Sequence, residues 1–80
     1  MKFYHEFGSN SVVLNGVHIP VPRSVKYVTV NKNDVVQGWS DEPYTQDGRW
    51  YSHDCIAIRI GWVEFEFGDD RPFEAIKVNA

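Results

Sequence analysis

The pattern of this 80-residue chain predicts an all-β fold, a small antiparallel barrel or a two-layer sandwich of about seven short strands. Three features carry that expectation. Apolar and polar residues alternate with a period of two along most of the chain, the spacing at which a strand sends successive side chains to opposite faces. Asn15-Gly16 separates two such runs, and Asn-Gly is the strongest short hairpin signal because both positions take positive φ. No stretch of ten or more residues shows helical spacing.

The elements follow in order. Residues 3–7 (FYHEF) read as a strand closed by Gly8. Residues 11–14 (SVVL) and 17–21 (VHIPV) form the arms around Asn15-Gly16, and Pro20 and Pro22, lacking donors, place the second arm at a sheet edge. Residues 25–30 (VKYVTV) and 35–39 (VVQGW) flank the polar turn Asn31-Lys32-Asn33-Asp34, a second hairpin. Residues 40–49 (SDEPYTQDGR) are the longest polar stretch and read as a surface loop. After Trp50-Tyr51, residues 55–60 (CIAIRI) put Ile56, Ile58 and Ile60 on one face, and Gly61 marks a bulge or bend. In 62–67 (WVEFEF), Val63, Phe65 and Phe67 are expected to face the core, with Trp62, Glu64 and Glu66 opposite. Residues 73–78 (FEAIKV) form the last strand.

Eighty residues make a single domain, 1–80. Cys55 is the only cysteine, so an internal disulfide and a four-cysteine zinc site are excluded. That thiol usage, with no apolar leader core and no membrane-length apolar run, points to the cytoplasm. Five Phe, four Tyr and three Trp are more large rings than so small a core can hold, so some aromatic surface is expected outside. The net charge of −3 is uneven, +2 over residues 1–40 and −5 over residues 41–80. An acidic half argues against general nucleic-acid binding, which needs a positive footprint.

His53-Asp54-Cys55 offers three ligand types in a row, but adjacent strand residues diverge. His53 and Cys55 would need His5 or His18 to complete a site, so no metal is expected. A Cys55–His nucleophile has no local orienting group or oxyanion hole. Glu64 and Glu66 lie about 7 Å apart along a strand face, within the range of glycosidase carboxylates, yet no cleft for a sugar is in view. The chain is therefore read as neither an enzyme nor a cofactor carrier.

Two surfaces remain. Trp62, Glu64, Glu66, Asp69 and Asp70, with Glu74 beside them, form an acidic and aromatic ribbon suited to a basic protein surface. The segment 39–51 gathers Trp39, Tyr44, Trp50 and Tyr51 around Asp41, Glu42, Asp47 and Arg49, and nominates Tyr44 and Arg49 as contacts.

The run YVTVNKNDVVQGWSDEPYTQDGRWYS resembles a hairpin pattern of small bacteriophage accessory proteins, through Tyr27 to Val30, Asn31 to Asp34, Pro43 and Trp50. It covers about a third of the chain, and Asp34-Val35 stand where a turn glycine is often found. The resemblance implies a class that binds and blocks a host or defence protein in the host cytoplasm, and implies no catalytic residue. The expected function is thus a non-enzymatic protein-binding module with a basic-surfaced protein partner, no direct nucleic acid and no membrane, and a homodimer as an option. Its rivals are a virion structural or assembly protein, and a small-ligand binder in which Trp39, Trp50, Tyr51 and Arg49 sandwich a nucleotide-like molecule.

Overall fold

The computed structural model describes residues 1–5 and 10–78, apart from the side chains of Phe3 and His5. These residues form nine strands and no helix. They are β1 (Lys2–His5), β2 (Asn10–Leu14), β3 (Val17–Val21), β4 (Tyr27–Val30), β5 (Val35–Trp39), β6 (Tyr44–Gln46), β7 (Arg49–Tyr51), β8 (Ile58–Glu64) and β9 (Ile76–Lys77). The expected strand over 3–7 is β1 in its first half; Glu6, Phe7 and the closing Gly8 lie outside the described residues.

Local chemistry sets each hairpin. Asn15 and Gly16 take φ of 49° and 76°, and the arms pair from Leu14↔Val17 to Asn10↔Val21. Asn31 shapes the second turn with its side chain, whose Oδ1 accepts from the backbone N–H of Asn33 at 2.9 Å and of Val35 at 3.0 Å. Asp34 supplies the positive φ there, 64°, that a glycine would otherwise provide. Asp47 and Gly48 repeat the first device at φ 54° and 75° and close β6 onto β7.

Five strands form one antiparallel sheet in the order β1-β8-β5-β4-β9. Hairpin β2–β3 is the second layer. Val12, Leu14, Ile19 and Val21 from the hairpin meet Val28, Val30, Val36, Ile60 and Val63 from the sheet, and Val25 and Val78 close the cluster. Small β-branched side chains dominate this core because a two-layer sheet packing of this size leaves little depth for rings. The result is an open sandwich; the barrel alternative is not formed, since the sheet keeps β1 and β9 as edges.

Several expectations need correction. Segment 40–49 is not simply a loop, because its last residues pair into β6 and β7. Ile56 is 89% exposed and Ile58 44%, so of the three isoleucines only Ile60 reaches the core. The bulge expected at Gly61 is present beside it: Val36 pairs with Gly61, while Gln37 pairs with Arg59, leaving Ile60 as the extra residue. Beyond Glu64 the chain leaves the sheet. Phe65 is therefore only half-buried against the core and Phe67 is fully exposed. The last strand shrinks from 73–78 to the two residues of β9, with Val78 N–H donating to the Lys26 carbonyl at 2.8 Å.

Candidate functional site

The outer face of the five-stranded sheet, opposite the core, carries an exposed aromatic cluster. Residues paired across antiparallel strands share a face, so Tyr4 of β1 and Trp62 of β8 stand side by side. Their rings stack at 5.3 Å between centroids, with planes 14° apart. The Tyr4 hydroxyl donates to Glu64 Oε2 at 3.3 Å. The Arg59 guanidinium lies 5.6 Å from the Trp62 ring centroid. In an unbroken strand, residues three apart point to opposite faces. The bulge at Ile60 removes that conflict and brings Arg59 to the same side as Trp62.

Trp62 remains 44% exposed despite these contacts. It is restrained and accessible together, which is the condition under which an aromatic side chain can anchor a partner at low ordering cost.

The rest of the acidic ribbon disperses. Glu64 is on this face, but Glu66 and Asp69 turn toward the chain's first residue. The Met1 ammonium sits 2.9 Å from Asp69 Oδ2 and 3.8 Å from Glu66 Oε2. Asp69 Oδ2 also accepts from the Glu66 backbone N–H at 2.8 Å. That hydrogen bond, followed by the ammonium, holds the Asp69 carboxyl below its ordinary pKa. Asp69 is thus a fastening rather than a free contact. Asp70 acts through its backbone, exchanging two 2.9 Å hydrogen bonds with the Asn15 side-chain amide.

The 39–51 candidates also separate. Trp39 is 4% exposed and its indole N–H donates to Thr29 Oγ1 at 2.9 Å, so it cannot sandwich a ligand. Trp50 is half-buried and, with Arg49 and Tyr51, walls a cleft of about 290 Å³ against the β4–β5 turn. Tyr44 belongs to a different cluster, its ring 4.8 Å from His53 and 5.9 Å from Tyr51.

His53 is therefore occupied by an aromatic neighbour. No group of three His, Cys, Asp or Glu positioned to hold a metal ion occurs among the described residues; the side chain of His5 lies outside them. Cys55 is half-buried, and hydrogen bonding with Ser52, then with Ser40 and the Asp41 backbone, outweighs desolvation and lowers its thiol pKa. Among the described residues no helix is long and apolar enough to cross a membrane.

Tyr4 and Arg59 are the site residues that sequence reasoning missed. Tyr4 is remote in sequence from Trp62, and Arg59 reaches it through a bulge whose exact position only the pairing with β5 fixes. No family model, curated protein or solved structure matches the chain.

Proposed function

We propose that the chain is a non-enzymatic protein-binding module that docks through the outer face of its five-stranded sheet. The observation that carries this reading is the exposed Tyr4–Trp62–Arg59 cluster. Trp, Tyr and Arg are the three residue types most enriched at the energetic centres of protein interfaces. Glu64, which accepts from the Tyr4 hydroxyl, flanks the cluster with negative charge. That combination fits a partner with an apolar slot rimmed by basic side chains. The resemblance of residues 27–52 to small bacteriophage proteins supports a host or defence protein as that partner, with the chain as its inhibitor.

The test is affinity purification of the tagged chain from its native host, in wild-type and Trp62→Ala forms. Retention of one stoichiometric partner by the wild type and its loss from folded Trp62→Ala is the expected result. Equal retention by both would remove the outer face from the interface. A large discrete homo-oligomer without a partner, measured by light scattering, would favour an assembly role instead.

A further inference from the structure

We infer that the cleft between the β4–β5 turn and the β6–β7 hairpin is a binding site for a nucleoside phosphate. The site adjoins the docking face through Gln37, the cross-strand neighbour of Arg59, but uses none of Tyr4, Arg59 or Trp62.

Its walls come from two hairpins. Lys32 and Asn33 of the β4–β5 turn, with Gln37 of β5, face Arg49, Trp50 and Tyr51 of β7. The chain as a whole carries −3, yet this cleft is lined by two cations and by no carboxylate. Such a local reversal of sign attracts an anion, and an Arg–Lys pair is the side-chain set that recognises phosphate oxygens.

The remaining lining specifies more than an anion. Trp50 offers aromatic surface against which a planar base can lie. Asn33 and Gln37 each present a donor and an acceptor on one amide, the pairing a base edge requires. A cavity of about 290 Å³ is at the small end of ligand pockets, which run from roughly 300 to 1,000 Å³. It therefore suits a single nucleotide rather than a folded nucleic acid.

Local hydrogen bonds and turn geometry set the shape of both hairpins. Asn31 Oδ1 fixes the β4–β5 turn, and Asp47-Gly48 fixes the β6–β7 turn. Arg71 donates to the Asn31 carbonyl at 3.1 Å and pairs with the Asp34 carboxylate, tying the first turn to the C-terminal segment. This neutralises Asp34, the carboxylate nearest in sequence to that side of the cleft.

The experiment titrates AMP into ¹⁵N-labelled protein and follows the three indole N–H resonances. Trp50 should shift saturably, while Trp39, buried under its Thr29 hydrogen bond, and Trp62, on the docking face, stay in place. Adenosine and inorganic phosphate, each holding half of the recognised chemistry, should bind more weakly than AMP. Lys32→Ala and Arg49→Ala should each weaken AMP binding by at least about tenfold, the low end of the loss for a hydrogen bond to a charged group. Both residues are exposed, and an unchanged Trp39 resonance shows that the variants fold. The proposal is overturned by no saturable Trp50 shift at millimolar AMP, by equal binding in the two variants, or by binding of a single-stranded oligonucleotide but not of AMP. None of these outcomes bears on partner retention through Trp62, so the two readings fail separately.

Discussion

Thr29 is the one buried polar side chain among the described residues, and it points away from the core. Its neighbours Val28 and Val30 take the inner face of β4, so Thr29 must lie on the outer face, where the Trp39 indole covers it and donates to its hydroxyl. Replacing Thr29 with Val keeps the shape but leaves a buried indole N–H without an acceptor. Urea unfolding of Thr29→Val should show a loss of about 1–3 kcal/mol, and Thr29→Ser should lose less. A neutral Thr29→Val would mean that Trp39 is not held through this bond. The same pair explains a limit of sequence reasoning. Trp39 and Trp62 both stand at polar–apolar boundaries, and nothing local says which ring is covered. Only the Tyr27↔Trp39 and Tyr4↔Trp62 pairings place one over Thr29 and leave the other open.

β8 decides most at the scale of elements. It is the longest strand and pairs on both sides, and its bulge turns Ile60 and Gly61 toward the core together. Ile60 then presses on the inner face of β5, where a Cβ at Gly38 would sit 2.8 Å from Ile60 Cδ1 and 2.7 Å from Val25 Cγ2. Gly38 is required by this close approach, not by its backbone angle. Gly38→Ala should destabilise by about 1–3 kcal/mol through overpacking, measurable as a lower urea midpoint. A combined Gly38→Ala, Val25→Ala variant should recover part of that loss; no recovery would locate the strain elsewhere. Alternation alone read residues 62–67 as one continuous strand. It could not register that the chain leaves the sheet after Glu64, because departure from a sheet is set by what the strand pairs with. For the same reason the severe loss expected of a fully buried ring does not apply to Phe65, which is half-buried beneath the Arg71 guanidinium at 4.7 Å.

The molecule as a whole joins its first residue to its last turn through the Met1 ammonium and Asp69. Asp69 has a folded pKa below its ordinary value, so it contributes stability above about pH 4, where the unfolded carboxyl is also ionised. That contribution is lost as pH falls through the lower folded value. Urea midpoints measured from pH 7 down to pH 2 should therefore decline below about pH 4, and Asp69→Asn should be weaker at pH 7 with a smaller acid-induced decline. An identical acid decline in Asp69→Asn would dismiss the fastening. The accessible surface of 5424 Å² exceeds the roughly 5,000 Å² expected for this mass, in keeping with Ile56, Phe67 and Phe73 left outside. By itself the sequence determined the all-β class, the hairpins at Asn15-Gly16 and Asn31–Asp34, and the inward placement of Val63. These depend on φ preferences and period-two patterning within a few residues, which any chain segment carries with it. The tertiary structure alone decided the sandwich over the barrel, the exact position of the bulge that sets Arg59 beside Trp62, the stacking of Tyr4 on that ring, and the withdrawal of Asp69 from the acidic ribbon. Each of these is a contact between segments far apart in sequence, and its energy exists only once the chain has closed.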